Sequence, residues 1–321
     1  MAFPNVSDII ATTIESRSKK IRDNVSKNNA LLAKLQQGRA ERTFSGGRLI
    51  YEELAFAENS NAGWYSGYDT LPTSAQDVIS AAEFAIKQAA VPVVMSGLEM
   101  LQNSGKEAMI DLMEGRINVA ESTMANLISA ALYSDGTANG GKQLVGLDAA
   151  VPVNPATGTY GGVDRATWTF WRSQVQSPGV ALTSSNIQGY MNTLWASCTR
   201  GADRPDLIIA DGTAWAVYMA SLQALQRFTG TDTAKLGFPS VKFMDADVVL
   251  DGGIGGYATA KTMYFLNTKY LHWRPHSQRN MVPLSPNRRV PTNQDAEVQI
   301  LAFAGNLTCS GAQFQGRLTG A

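Results

Sequence analysis

From Leu98 onward, Met109, Met113, Ile117, Ala120, Met124, Leu127 and Ala131 recur every three or four positions. That spacing is the period of one face of an α-helix. Asp111, Glu114, Glu121 and Asn126 fall on the opposite side, and Tyr133-Ser-Asp-Gly-Thr then supplies the turn chemistry that ends a helix. The pattern predicts a helix over residues 98–133. A helix of about 30 residues is roughly 45 Å long, well beyond the ordinary length in globular proteins. Such an element needs support along its length, so the chain is expected to lay it as a strut beside a sheet.

The second half supplies the strands. DLIIAD (206–211) reads as a strand, and Asp211 is placed to cap a following helix, TAWAVYMASLQALQRF. Trp215, Tyr218 or Met219, Leu222 and Leu225 would face inward on it. SNIQGYMNTLWASC carries a helical stripe of Ile187, Tyr190, Met191, Leu194 and Cys198. SVKFMDADVVLDGG and TMYFLNTKYLHWR read as strands separated by GGIGGY, and AEVQILAFAGNLTCSGAQFQGRL is rich in strand formers. A strand, helix, strand, strand order beside a long helix points to an α+β or mixed α/β fold. At 321 residues, one elaborated domain and two domains both fit.

Residues 1 to about 45 read as a weakly anchored arm whose loss, to residue 40, leaves a folded core. Arg17, Lys19, Lys20, Arg22, Lys27, Lys34, Arg39 and Arg42 crowd it, against Glu15, Asp23 and Glu41. Ile21, Val25, Leu31, Leu32 and Leu35 give it a partial helical stripe. A solvated basic face, an arm lying on a neighbouring subunit and a strand of phosphate contacts all fit. In residues 46–80, RLIYEEL and GWYSGYDTL flank the turn-rich ENSNAG, as in an extended hairpin. Trp64, Tyr65 and Tyr68 there are either local packing or a surface that another chain covers. Residues 134–182 read mostly as loop, and TYGGVDRATWTFWRS within them suggests a buried Asp164–Arg165 pair packed by Trp168 and Trp171.

Several chemistries are poorly supported. The formal net charge of zero lacks the positive field of a dedicated nucleic-acid binder. The only cysteines, Cys198 and Cys309, and the only histidines, His272 and His276, make a zinc site improbable. The cysteines read as small buried apolar groups of a reducing compartment. Residues four apart on a strand stand about 13 Å apart, and Pro275 ends a strand between the histidines. Residues 264–284 hold no Asp or Glu to complete a metal site, while Lys269, Arg274 and Arg279 among aromatics keep nucleic-acid contact open. GTANGG lacks the GKS or GKT of a phosphate loop, and DGGIGG lacks a dinucleotide-binding context. Asp245 and Asp247 could share a strand face as a carboxylate pair, though solvated acids are the simpler account. No signal peptide or membrane span is visible.

The order of these parts resembles the major capsid proteins of tailed bacteriophages with the HK97-like fold. GGVDRATW, YFLNTKYL and the run from NQDAEVQ to GNL carry the resemblance, which extends over nearly the whole chain. It implies an α+β fold with an N-arm over 1–45, an extended loop over 46–80 and a peripheral domain over 81–179. An axial domain over 180–290, including a strand YFLNTKYLHW, and a return to the peripheral domain over 291–321 complete it. It further implies self-assembly into pentons and hexons of an icosahedral shell around double-stranded DNA, formed in the bacterial host cytoplasm. No cofactor, metal or catalytic residue is implied. Arg17, Lys19, Lys20, Arg22, Trp64, Tyr65, Tyr68, Asp164 and Arg165 become candidate assembly contacts. Lys27, Lys34, Arg274 and Arg279 become candidate contacts to nucleic acid on the inner face. Some members join subunits through a lysine of the extended loop, but no lysine lies between Lys34 and Lys87. A short arm starting at Met1 suggests an unprocessed chain and a separate scaffolding protein. Portal and decoration proteins are expected partners. An encapsulin-like nanocompartment, and less readily a DNA-binding or enzymatic module, are the competing interpretations.

Overall fold

A computed structural model describes residues 29–37, 40–102, 106–222, 240–253, 255–284 and 293–321. The first elements are α1 Ala30–Gln37, β1 Leu49–Ala55, β2 Ile79–Ala85, β3 Lys87–Ser96, α2 Gly97–Gln102 and α3 Lys106–Ala131. Short pieces follow: α4 Ala138–Gly141, α5 Leu147–Ala150, β4 Thr159–Tyr160, β5 Val163–Asp164 and β6 Gln174–Gln176. Then come α6 Ile187–Cys198, β7 Leu207–Ala210, α7 Gly212–Leu222, β8 Ser240–Phe243, β9 Ala246–Leu250 and β10 Thr262–Leu266. The chain closes with β11 Leu271–Pro275, β12 Val282–Pro283, β13 Ala296–Cys309 and β14 Gly316–Thr319.

One sheet has the order β6-β14-β10-β7-β9-β8. Its central strands are buried on both faces, and strand alternation divides their side chains between two cores. Ile208, Ala210, Val248, Met263 and Phe265 point to a core with α6 and α7. Leu207, Ile209, Val249, Tyr264 and Leu266 point to the other, larger core. β7 and β9 are parallel, which requires a crossover, and α7 follows β7 into that connection. Asp211 caps α7 as expected: its Oδ2 accepts from Thr213 N at 3.0 Å and also from Lys261 N at 2.9 Å.

The second sheet is built on β13. Its 14 residues pair with β3 along one edge and with β12 and β11 along the other. α3 lies against β3 and β13, so the long helix is a strut beside a sheet. Ala120, Met124, Ile128 and Ala131 form its buried stripe, whereas Leu127 is half exposed. The described helical residues are those of α2, Gly97–Gln102, and α3, Lys106–Ala131, so the helix ends two residues before the expected 133. Arg116 ties the three elements, pairing with Glu99 at 3.0 Å and donating to Val94 O at 2.9 Å.

Three expectations change. YFLNTKYLHW is not one strand: β10 belongs to the first sheet and β11 to the second. The break is Asn267, whose Oδ1 accepts from Lys269 N while its carbonyl accepts from Tyr270 N. In the hairpin, the return strand is Ile79–Ala85 and GWYSGYDTL forms no strand. In the described part of the arm, Ala30, Leu31, Leu32 and Leu35 are core residues. Residues 40–44 then run along β11, with Trp273 N donating to Ala40 O and Phe44 N to Pro275 O. Removing residues 1–40 would therefore take away core packing. Arg17, Lys19, Lys20, Arg22, Lys27, Arg39 and Leu225 lie outside the described residues.

Candidate assembly surface

The β1–β2 hairpin has one buried face and one open face. Ile50, Glu52, Leu54, Ala82 and Phe84 face the protein, and Tyr51, Glu53, Ala81 and Glu83 face outward. Between the strands, residues 56–78 carry Trp64, Tyr65 and Tyr68 at 106%, 67% and 107% exposure. With no ladder of backbone bonds, polar side chains brace this loop. Asn61 Nδ2 donates to Ser74 O at 2.7 Å, Ser74 Oγ returns a bond to Asn61 Oδ1 at 2.9 Å, and Ser60 Oγ reaches Gln76 Oε1 at 2.8 Å. Ser66 N donates to Asp69 Oδ2 at 2.8 Å and closes the tip turn. Among the described residues, Trp64 and Tyr68 are uncovered and Tyr65 is about one-third covered.

The hairpin root is clamped by a buried charge. Glu52 Oε1 accepts from Arg274 Nε at 2.9 Å, from Arg274 Nη2 at 2.6 Å and from Thr308 Oγ1 at 2.8 Å. Both partners are largely buried, so the bonds offset a desolvation cost that neither charge could bear alone. His272 lies beside them in β11, and burial pushes its imidazole down to about 4. Sequence reasoning passed over Glu52. Its signal was present, since an acid between Ile50 and Leu54 occupies an inward position of an alternating strand.

GGVDRATW forms the platform beneath the hairpin. Gly161 has φ +56°, and a Cβ there would stand 2.9 Å from Phe84 Cζ and 3.0 Å from the Ala82 Cβ. The absent side chain lets Gly161 O accept from Glu83 N at 2.9 Å. Asp164 and Arg165 do not pair with each other. Asp164 accepts from Thr167 Oγ1 at 2.6 Å and from Ala166 N at 3.1 Å, bonds that hold its carboxyl below the usual range. Arg165 is buried and donates to Ala149 O at 2.7 Å, Ala150 O at 2.9 Å and Trp171 O at 3.4 Å. Its guanidinium thus satisfies carbonyls at the end of α5 while lying 5.0 Å from the Tyr160 ring centroid. These bonds bind Arg165 inside its own subunit. Phe56, at the base of the loop, meets Trp168 edge-on at 5.2 Å.

The remaining candidates are dispersed. Lys34 pairs with Asp247 at 3.5 Å, and Arg274 is committed to Glu52, so both cations have acidic partners within the chain. Arg279 is exposed in the turn after β11. Asp245 sits in the β8–β9 turn and meets Arg204 at 2.6 Å, so it forms no carboxylate pair with Asp247. Cys198 and Cys309 are buried and free, and burial pushes both thiols up to about 12. Among the described residues no helix is long and apolar enough to cross a membrane.

No family model matches the sequence, and no curated protein matches it. Solved structures do. The chain aligns with one from the cyanophage A-1(L) capsid asymmetric unit at a TM-score of 0.73 and 18% identity, covering 94% of this chain and 95% of that one. Against the capsid of an empty GTA particle the TM-score is 0.63 at 13% identity, with both chains covered in full at 100%. Against the capsid of Myoviridae phage XM1 it is 0.59 at 14% identity, covering 96% and 97%. The likeness spans whole chains, and it establishes an α+β fold of HK97-like capsid architecture.

Proposed function

We propose that the chain is the major capsid protein of a tailed bacteriophage, a structural protein without a catalytic step. Copies build pentons and hexons of an icosahedral shell that encloses double-stranded DNA, assembled in the bacterial host cytoplasm. The observation that carries the proposal is the pairing of a capsid-type fold with a braced loop whose Trp64 and Tyr68 are fully exposed among the described residues. In this scheme residues 46–80 are the extended loop, the β13 sheet with α3 is the peripheral domain, and the sheet with α6 and α7 is the axial domain. Scaffolding, portal and decoration proteins would be separate chains. Exposed arm and turn cations, among them Arg279, would face the genome.

Negative-stain electron microscopy of the purified protein tests this. Closed angular shells are the expected outcome. A monodisperse monomer under all assembly conditions, with or without scaffolding protein, would overturn it. Nucleic acid inside shells from infected cells separates a genome container from an encapsulin-like compartment.

A further inference from the structure

A cavity of about 510 Å³ lies between β2 and residues 161–170, a volume within the range of small-molecule sites. Glu83 N donates to Gly161 O at 2.9 Å and ties the two sides together. Phe56, Trp168 and Phe170 give the cavity an aromatic wall. The ring centroids are 5.2 Å apart for Phe56 and Trp168, 6.1 Å for Phe56 and Phe170, and 6.0 Å for Trp168 and Phe170. Trp168 is 43% exposed, so part of its indole is open to a ligand.

The same cavity is negatively charged. Glu83 and Asp164 line it, and among the described residues no Lys or Arg does. The bonds from Thr167 and Ala166 hold the Asp164 carboxyl below the usual range, so it is ionised at neutral pH. Arg172 acts on it from outside the lining, but donors of that guanidinium go to Arg165 O and Ala166 O, both at 2.7 Å. Glu83 is exposed on the open face of the hairpin, and residues 49–86 contain no Lys or Arg to neutralise it.

The two kinds of lining decide what fits. An uncharged apolar molecule would leave both carboxylates unanswered. A hard metal ion needs several converging oxygens, and Asp164 already commits Oδ1 to Ala166 N and Oδ2 to Thr167 Oγ1. An alkylated ammonium carries its charge beneath an apolar skin, and the faces of aromatic rings attract it, Trp most strongly.

We infer that the cavity between β2 and residues 161–170 binds an organic cation with a quaternary ammonium head. The head sits against Trp168, Phe56 and Phe170, and Glu83 and Asp164 supply the countercharge. This concerns a single subunit and is independent of the shell proposed above. A free quaternary amine and a trimethylated lysine of another protein carry the same head.

Saturation-transfer NMR titrations of the full-length protein test the site, with choline as the probe. Choline is expected to bind about tenfold more tightly than its uncharged isostere, in which a tert-butyl group replaces trimethylammonium. Trp168→Leu should abolish the choline signal. Glu83→Gln alters an exposed side chain, keeps the backbone bond to Gly161 and should weaken binding about threefold. Circular dichroism of both variants should match the parent. A peptide bearing trimethyllysine, titrated alongside, separates the sources: the tighter ligand names the source, and either order supports the site. Equal affinity for choline and its isostere, wild-type binding by both variants, or no saturation transfer to choline or the peptide would overturn it.

Discussion

The six-stranded sheet, which mixes parallel and antiparallel pairs, and the antiparallel β1–β2 hairpin solve opposite problems. All five residues of β10 and all four of β7 are buried, and their alternating side chains serve two cores. β1 buries every second residue, and the loop beyond it has fully exposed aromatics. A two-stranded hairpin is marginal alone, so this one is held from below by Glu52, Arg274, Thr308 and Gly161. The sheet concentrates stability, while the hairpin holds a surface in readiness. The difference predicts that substitutions in the two regions separate folding from assembly.

The largest expected loss lies in the sheet. Phe265 is fully buried and meets Phe243 edge-on at 6.3 Å. Phe265→Ala should cost about 3–5 kcal/mol in urea unfolding of the monomer. A cost below about 1 kcal/mol would mean that this core collapses around the gap, and the contrast with the hairpin would weaken.

The clamp comes next. Arg274→Met leaves the Glu52 carboxylate buried without its cation, which should cost about 3 kcal/mol. Adding Glu52→Leu removes the stranded charge, so the double variant should be more stable than Arg274→Met alone. If the double variant is worse, packing rather than charge holds the hairpin down.

A smaller effect is expected with pH. His272 titrates at about 4 in the folded chain, below its ordinary 6.5, because burial disfavours the charged ring; Glu52 opposes the shift, and Arg42 and Arg274 add to it. As pH falls, the unfolded chain takes up this proton first. The stability from neutral His272 is therefore complete above about 6.5 and is lost as pH falls toward 4. Buried Asp251 works the other way, since burial raises its carboxyl and protonation favours the fold. Thermal melts at pH 7 and pH 5 should show a fall that His272→Gln reduces. An identical fall in that variant would assign the acid sensitivity to other groups.

Features set by local rules were legible in the sequence. The 3.6-residue period located α3 and its support, Asp211 was placed as a cap, and both cysteines were expected to be buried. Leu127 was put on the wrong edge of the stripe because Ile128, one position on, lies nearly as close to the same face. The split at Asn267 was hidden by strand formers on both sides of a short polar turn. Ile79–Ala85 was missed as a strand because ISAAEFA is rich in alanine, a weak strand former whose pairing depends on Gly161 and β1. Of the candidate site, the aromatic tip was readable and the clamp was half readable. Glu52 sits at an inward position, but Arg274 is 222 residues away and only the topology brings them together.

The smallest expected effect on folding is at the tip. Trp64 is fully exposed among the described residues, so Trp64→Ala opens no gap in their packing and should change the monomer's unfolding free energy by no more than about 0.5 kcal/mol. Its effect on association should be large, because an indole covered by a neighbour is a common centre of interface energy. Native mass spectrometry and electron microscopy of the variant should then show folded subunits with few or unstable shells. Shells of wild-type number and stability would separate exposure from function at this residue, leaving Tyr68 and its neighbours to carry the contact. A destabilised monomer would mean that the loop supports its own subunit after all, and the division between the two regions would fail where it is sharpest.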